Sequence, residues 1–488
     1  RKQDLEARYI NYNIKATLHA YDLEDNTVSE EEYPLASELS YEGITSQENV
    51  PIIHNIRLWD WRPLRRIFRQ LHELRSQYDF PDVDIDRYPM DTTIQQVMLS
   101  ARELNINDLP PEVRNDWFKR TYVYTHGYGA VMSPVNEVID GRPKMYIRDI
   151  DPINYEPEWK DRFNEDPGPR IYYGERTQHY VIVHPGRKAK LGKGLEFDHP
   201  KTFGQEFEDY SYHGKGGVEL SSFWRRFIYM LKFDNQINFV LPGEITSTSR
   251  VLYHRDIKER INKIAPFLRY DGDPYLIIHN GRLIWMVDAY TTTERYPYSA
   301  PMQDVLRTKI AELRGRRAVA RIIGGEHPWG NYIRNSVKVT LDVYDGSVNF
   351  YLMEQEKDPI AECYRRIFPD LFKSFAAMPA ELKTHIRYPE TMFLIQARVY
   401  QDYHMKDPIT FYASEDQWEI GEELYDNTER PRPQPAPIPA SPFTPRPQSL
   451  PATVTNVQEV APYYVVLKLP GEERAEFMIM LPFTPKNK

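Results

Sequence analysis

The chain has 488 residues, more than one ordinary hydrophobic core holds, so two or three domains or subdomains are expected. With 41% apolar and 27% charged residues it has the composition of a folded globular protein, and its formal charge of −9 argues against nonspecific binding to nucleic acid. Cys363 is its one cysteine, which excludes an intrachain disulfide, and we expect this thiol to be a small buried apolar group.

The ends and the apolar runs of the chain bear on membrane attachment. No apolar run approaches the roughly 20 residues that a membrane-spanning helix needs. The chain begins at Arg1 rather than at methionine, so we expect it to be a fragment of a longer protein. Taken alone, the lack of disulfides favours a reducing compartment.

Residues 1–110 are predicted to form a helical N-terminal region. Apolar side chains recur at helical spacing over residues 12–21 and 64–74, and Asp91 fits the N-cap of a further helix over residues 91–100. Residues 82–86 (Asp-Val-Asp-Ile-Asp) resemble the opening of a calcium loop but lack its glycine and its final glutamate. A strand edge is predicted there instead.

Strand patterns dominate the predicted core, residues 111–425. Residues 274–279 and 282–288 flank Asn280-Gly281, a dipeptide that tolerates the positive φ angles of a type I′ turn and so predicts a hairpin. A second hairpin is predicted around Asp345-Gly346. A third, over residues 463–481, belongs to the C-terminal region.

Helical patterns return later in the chain, at residues 220–234, 255–266, 358–374 and 380–405. Pro389 is expected to break the last of these into two helices. The fold class predicted is α+β, with a mainly antiparallel sheet built from hairpins and flanked by helices. Prolines alternate through residues 431–447, which predicts a semi-rigid linker over residues 426–452, and residues 453–488 are predicted to form a C-terminal hairpin that joins the core sheet.

His126 and Tyr128 are candidate binding residues because they lie in Thr125-His-Gly-Tyr-Gly129. The two glycines permit close approach of the backbone or a positive φ angle. One interpretation is a pocket in which His126 acts as an acid, a base or a ligand. The alternative is a bend between strands, with His126 hydrogen-bonded in the core.

A second group of candidates comes from the first two hairpins. Asp288 ends an apolar strand and is followed by Tyr290 and three threonines. If the hairpins are neighbours in one sheet, Asp288 approaches three polar side chains, namely Arg334, Asn335 and Asp342. They form either a binding site or an internal network of ion pairs and hydrogen bonds.

The usual catalytic signatures are absent from the sequence. It contains no His-Glu-x-x-His zinc helix, no Gly-x-Ser-x-Gly nucleophile elbow and no paired-cysteine site. No catalytic residue, metal or cofactor is therefore predicted, although an enzyme built from distant residues stays open.

A set of segments in fixed order carries a family resemblance. They include Asp271-Gly-Asp-Pro274 and Tyr388-Pro-Glu390, and the full set comprises residues 122–136, 271–274, 285–299, 331–345, 388–390, 403–408, 469–473 and 481–485. Together they resemble the uncharacterised protein family 0182 (UPF0182), large bacterial membrane proteins of unassigned function. The resemblance runs from about residue 5 to the end of the chain.

The resemblance implies location rather than chemistry. It implies membrane-spanning helices outside this chain, and it implies that this chain is an extracytoplasmic domain at the plasma membrane of a bacterium. It carries no catalytic residues. We give this implication more weight than the missing disulfides.

Two classes of function follow. The first is a non-catalytic module that assembles with itself or with envelope proteins, and an outward-facing apolar or aromatic patch would favour it. The second is an envelope hydrolase with a pocket around His126 and Asp288, or a domain that binds a small ligand or a metal. No nucleic-acid partner is expected.

Overall fold

The computed structural model describes residues 2–32, 40–72, 78–90, 93–162, 167–184, 195–200, 207–241, 243, 245–304, 329–353, 358–425, 456–469, 472 and 474–486. The predicted proline-rich linker over residues 426–452 lies outside these residues. The predicted domain boundaries stay a prediction.

The α-helices of the described residues are mostly short and lie around the sheets. They are α1 (Lys2–Ala20), α2 (Tyr41–Ile44), α3 (Val50–Ile53), α4 (Trp61–His72), α5 (Pro111–Arg114), α6 (Phe223–Lys232), α7 (Ile257–Ile264), α8 (Pro359–Ile367), α9 (Ala380–Thr384), α10 (Glu390–Tyr403) and α11 (Pro408–Ala413). None of them is both long and apolar enough to cross a membrane.

Two sheets form the centre of the described structure. The larger has six strands, in the order β17-β19-β20-β21-β22 with β18 also paired to β19: β17 (Arg269–Tyr270), β18 (Tyr275–His279), β19 (Arg282–Thr293), β20 (Tyr332–Asp342), β21 (Val348–Leu352) and β22 (Phe372–Ser374). The smaller has the order β10-β9-β6-β3-β2: β2 (Asp84–Met90), β3 (Thr93–Ala101), β6 (Ala130–Pro134), β9 (Ile147–Arg148) and β10 (Asn154–Tyr155).

The remaining described strands form small sheets. One has the order β12-β16-β15: β12 (Val181–Val183), β15 (Val218–Glu219) and β16 (Arg250–Leu252). The others are pairs: β1 (Tyr78–Asp79) with β4 (Glu103–Leu104), β5 (Gly127–Tyr128) with β11 (Arg170–Ile171), β7 (Val138–Ile139) with β8 (Arg142–Pro143), β13 (Glu196–Pro200) with β14 (Phe207–Tyr210), β23 (Trp418–Ile420) with β28 (Phe483–Pro485), β24 (Glu422–Tyr425) with β25 (Asn456–Glu459), and β26 (Tyr463–Leu467) with β27 (Glu476–Met480).

The predicted α+β class with mainly antiparallel pairing is confirmed, and the three predicted hairpins are present. β18 and β19 pair in antiparallel register around Asn280-Gly281, whose φ angles are 48° and 76°, as a type I′ turn requires. β20 and β21 form the second predicted hairpin, and β26 and β27 the third. Among the described pairs in the six-stranded sheet, only β21 with β22 is parallel.

Several local predictions are corrected. Within the segment predicted as a helix over residues 91–100, residues 93–100 belong to strand β3, which pairs with β2 on one side and β6 on the other, and residues 91–92 lie outside the described residues. The predicted helix over residues 358–374 ends at Ile367 and is followed by strand β22. Cys363 is exposed rather than buried, because it lies on the outer side of α8. The third hairpin pairs with neither central sheet in the described structure and packs on β3 instead, where Gln96 Nε2 donates to the carbonyl oxygen of Tyr464 at 3.0 Å.

Side chains of β2 join the two central sheets. Strand β18 pairs with β19 along one edge only, so backbone N–H groups on its other edge need acceptors. The carboxylate of Asp84 accepts from Leu276 N–H, and the hydroxyl of Tyr88 accepts from Ile278 N–H, both at 3.0 Å. The main apolar core therefore runs without interruption from β2 and β3 to β18 and β19, and it contains Leu99 and Trp285.

Candidate functional site

His126 lies in a buried polar network at the start of β5. Its Nε2 is 3.0 Å from Asp198 Oδ1, its Nδ1 is 2.8 Å from the hydroxyl of Thr125, and the ring stacks on Tyr172 at 4.6 Å between centroids. Burial alone would lower the pKa of His126, but hydrogen bonds and charges of Asp198 and Glu196 outweigh burial and raise it. The structure thus favours an imidazolium held between two carboxylates.

Asp198, on β13, is the centre of this network. Arg170 donates to both of its carboxylate oxygens, at 2.6 and 2.7 Å, and His199 Nδ1 lies 3.1 Å away. Burial would raise the pKa of Asp198, but the hydrogen bonds from His126, His199 and Arg170 hold it far below its usual range. A bidentate arginine pair of this kind fixes the geometry of both partners.

Tyr128 borders the same network without entering it. Its ring stacks on His199 at 4.5 Å between centroids, and the guanidinium of Arg170 lies 5.5 Å from the ring centroid. Burial, followed by the charge of Asp198, raises the pKa of Tyr128 to about 12. The phenol is therefore neutral at physiological pH.

The candidates from the two hairpins lie in one sheet but have different partners. Asp288 is opposite Lys338 across β19 and β20, and the ammonium of Lys338 donates to its carboxylate. Tyr290 donates to Asp271. Asp342 lies at the far end of β20, where its carboxylate accepts backbone hydrogen bonds in the turn and pairs with Arg282 at 3.1 Å.

Arg334 and Asn335 face other surroundings again. Arg334 donates to the last carbonyl groups of α1, at 2.8 Å to Ala20 O and 2.5 Å to His19 O, and so caps that helix. Asn335 Oδ1 is buried without a hydrogen-bond partner in the described structure. The structure does not gather Asp288, Arg334 and Asp342 into one site.

A cleft of about 480 Å³ lies elsewhere, between β2, the loop before β18, the start of α10 and the C-terminal hairpin. Neither His126 nor Asp288 lines it. Its described lining includes seven acidic side chains: Asp60, Asp82, Asp84, Asp271, Asp273, Glu390 and Glu423. It also includes three arginines, Arg57, Arg62 and Arg387, and five large aromatic side chains, Trp61, Tyr270, Trp329, Tyr463 and Tyr464. The lining is therefore strongly acidic, with aromatic walls.

Burial and mutual repulsion perturb the carboxylates of the cleft. Burial, with the charges of Asp273 and Asp271 adding to it, raises the pKa of Glu390 to about 8. Burial likewise raises the pKa values of Asp82 and Asp271 to about 6 and that of Asp84 well above its usual value. Like charges that share a low-dielectric site do not all ionise at once, so the charge of the cleft changes between mildly acidic and mildly basic pH.

Arg387 is the principal counter-charge on the inner wall of the cleft. Its guanidinium is buried, donates to Asp273 at 2.7 Å and to the carbonyl of Ile85 at 3.0 Å, and lies 4.1 Å from the ring centroid of Tyr275. Tyr464 covers its other side at 4.8 Å. Burial is the main cause of the raised pKa values of the cleft carboxylates, and for Asp84 and Glu390 the charge of Arg387 offsets it only in part.

The cleft was missed because its residues are far apart in the sequence. Asp82 and Asp84 lie in the segment that fails as a calcium loop and is predicted to be a strand edge. Asp271-Gly-Asp273 and Tyr388-Pro-Glu390 were noted only as marks of family resemblance. Those short acidic motifs were the available signal, since their polar side chains have no role in helix or strand periodicity.

Helix α6 presents a second candidate surface. Ser222 caps its N-terminus by accepting from Arg225 N–H, and Tyr229 faces inward against the aromatic core of this region. The outward face carries large apolar side chains with high exposed fractions: Phe223 60%, Trp224 71%, Ile228 60% and Leu231 52%. Exposed apolar residues that adjoin in this way mark interaction sites more often than chance.

Comparison with known proteins places the chain in a family. The model of the uncharacterised protein family UPF0182 matches residues 1–488. The chain belongs to the UPF0182 family. A UPF0182 protein of Desulforamulus reducens is 41% identical over 99% of this chain and 44% of its own length.

Other UPF0182 relatives match with similar identity and over similar shares of the two chains. The protein of Trichodesmium erythraeum is 40% identical over 99% of this chain and 47% of its own length, and UPF0182 protein bll7333 of Bradyrhizobium diazoefficiens is 41% identical over 99% and 45%. The chain therefore spans less than half the length of these relatives. No solved structure matches it.

Metal binding receives no geometric support from the described residues. Among them, no group of three or more His, Cys, Asp or Glu side chains is arranged to hold a metal ion. The acidic cleft and the outer face of α6 are the two candidate functional surfaces among the described residues.

Proposed function

We propose that this UPF0182 chain is a non-catalytic partner-binding module of a membrane protein, on the extracytoplasmic side of a bacterial plasma membrane. The observation that carries the binding role is the outward apolar face of α6. The motifs that resemble a family of membrane proteins support the attachment and the side of the membrane. The spanning helices would belong to parts of the protein outside this chain.

The apolar side chains on the outer face of α6 do not pack on the core, so they are available to bind a partner. The inner face already packs Tyr229 and Phe233 against Phe239, with Phe233 and Phe239 stacked at 5.7 Å between centroids. Leaving Phe223 and Trp224 exposed forgoes about 1.5–3 kcal/mol of burial free energy for each side chain. A partner that covers them recovers this free energy.

Photo-crosslinking in cells tests the binding role in the longer protein. A photoreactive phenylalanine analogue replaces Ile228 on α6, and a matched variant carries it at Ile367, which has a similar exposed fraction of 57%. We expect the analogue at position 228 to crosslink to a neighbouring molecule at several times the yield at position 367. Equal yields at the two positions would refute the proposed role.

The acidic cleft favours a second candidate function, the binding of an organic cation. Seven carboxylates face three arginines in its described lining, and aromatic rings such as Trp61 and Tyr463 suit an alkylammonium group. A volume of about 480 Å³ accommodates a small ligand. The hydrolase alternative lacks such support, because His126 and Asp288 have separate partners in Asp198 and Lys338 and neither lines the acidic cleft.

Calorimetry with a hexanediamine tests the cleft, and a hexanediol of the same length is the neutral control. Because the raised pKa values of Asp82 and Glu390 are about 6 and about 8, these groups ionise as pH rises through that interval. We expect diamine affinity to increase from about pH 5 to about pH 9, and Glu390→Gln to weaken it about tenfold at the higher pH. If the diol binds equally well, or if affinity does not change with pH, the cleft is not a cation site.

A further inference from the structure

We infer that the outer face of α6 docks on the surface of an anionic lipid bilayer, which names the partner of the proposed function and rests on it. Successive residues are about 100° apart around a helix, so Phe223, Trp224, Phe227, Ile228 and Leu231 share an arc of about 140°. The described turn after the helix adds two more exposed apolar side chains, Ile237 at 55% and Leu241 at 47%. The arc is continuous and contains no polar residue.

The aromatic rings of this face lie where a bilayer interface accepts them. Phe223 and Trp224 are in edge contact at 5.9 Å between centroids, and Phe227 lies 6.1 Å from Trp224. Tryptophan and phenylalanine are favoured at the boundary between headgroups and acyl chains, because their rings are apolar and the indole N–H bonds to water or headgroups. A cluster of this composition embeds about 5–10 Å into that boundary.

The charges of α6 favour binding to an anionic bilayer surface. The helix contains three cations, Arg225, Arg226 and Lys232, and no acidic residue, in a chain whose formal charge is −9. By helical position, Arg225 and Lys232 border one side of the apolar arc and Arg226 the other.

The acidic residues next to α6 in the sequence leave the net charge of this surface positive. Glu219 is neutralised by Arg250 at 2.6 Å, and Asp234 follows the end of the helix. A basic amphipathic helix with aromatic residues on its apolar face is the sequence and surface that anionic bilayers bind.

Flotation of the 488-residue chain with vesicles tests the inference. Vesicles of pure phosphatidylcholine are compared with vesicles that contain phosphatidylglycerol. We expect the chain to float with the anionic vesicles and the variant Phe223→Ser/Ile228→Ser to bind them about tenfold more weakly or worse. Ile367→Ser, at a similarly exposed apolar position on α8, is the matched control and should bind as the unaltered chain does.

Two further variants test separately whether the aromatic rings insert into the bilayer and whether the positive charges contribute to binding. Quenching of tryptophan fluorescence by brominated lipid should fall in Trp224→Phe while vesicle binding persists, because only the reporter is lost. Arg225→Gln/Lys232→Gln should reduce the preference for anionic vesicles and leave the melting temperature unchanged.

Other outcomes overturn the inference. Absence of flotation with anionic vesicles, or equal binding by Phe223→Ser/Ile228→Ser, would do so. If light scattering instead shows a dimer that this variant dissolves, or if crosslinks from position 228 reach only protein, the occupant is a protein. The partner-binding function would then stand while the bilayer inference fails.

Discussion

Replacing Lys338 by methionine is expected to destabilise the chain by about 3–5 kcal/mol. Asp288 is 2% exposed and Lys338 1% exposed, and the carboxylate faces the ammonium across the middle of the six-stranded sheet. Without Lys338 the carboxylate of Asp288 stays buried without its counter-charge, and its repulsion of Asp271 is uncompensated. Chemical denaturation followed by circular dichroism measures the loss.

A second substitution distinguishes an unpaired charge from lost packing. Asp288→Leu in the Lys338→Met background removes the unpaired charge, so we expect most of the stability to return, to within about 1–2 kcal/mol of the original chain. Lys373→Met is the matched control, because Lys373 is an exposed lysine on β22 and its loss should cost less than about 0.5 kcal/mol. Equal stability of the single and double variants would contradict the argument.

Asp198→Ala is expected to cost a comparable amount, about 3–5 kcal/mol at neutral pH. The substitution removes the carboxylate that accepts from Arg170 and His126, and it leaves both donors buried. Asp198→Asn keeps the size and one acceptor oxygen, so we expect it to recover part of the loss. Thermal melting of the three proteins gives the comparison.

The pH dependence of this network follows from two opposite shifts. Because the pKa of Asp198 is lowered in the fold, its contribution is present above the unfolded-state value near 3.8 and is lost as pH falls. Because the pKa of His126 is raised, its contribution is present below about 6.5 and is lost as pH rises through the folded value. The gap in melting temperature between the original chain and Asp198→Ala should therefore be widest between about pH 4 and 6.5. A gap that did not narrow below about pH 4 or above about pH 6.5 would contradict the assignment of both charges.

Local signals in the sequence were sufficient for the hairpins. Asn280-Gly281 specifies its own turn, because only residues that tolerate positive φ angles fit there. The two-residue turn then specifies the register of the strands on either side. Pro389 broke the last helical pattern as expected, since α10 begins at the next residue.

Segments whose conformation depends on distant strands were predicted wrongly. Residues 91–100 satisfy helical spacing, but β3 lies between β2 and β6, and ladder hydrogen bonds on both edges outweigh a weak helix preference. The pairing of Asp288 with Lys338 was missed for the same reason. The two residues are 50 positions apart, and only the register between β19 and β20 places them opposite each other. The cleft required Asp82, Asp271 and Glu390 to meet, which no local pattern encodes.

The C-terminal hairpin has a consequence for the order in which the protein is built. Tyr464 forms part of the cleft wall, receives a hydrogen bond from Gln96 and donates one to the carbonyl of Tyr388 at 2.7 Å. During synthesis, the carboxylates of Asp82 and Asp84 emerge well before the hairpin that supplies that wall. Asp84 finds a partner within the sheets, Leu276 N–H, so the last hairpin adds the outer side of the cleft rather than its acidic floor. A chain that lacked this hairpin would lose the hydrogen bonds of Tyr464 to Gln96 and Tyr388 and would leave the cleft open on that side.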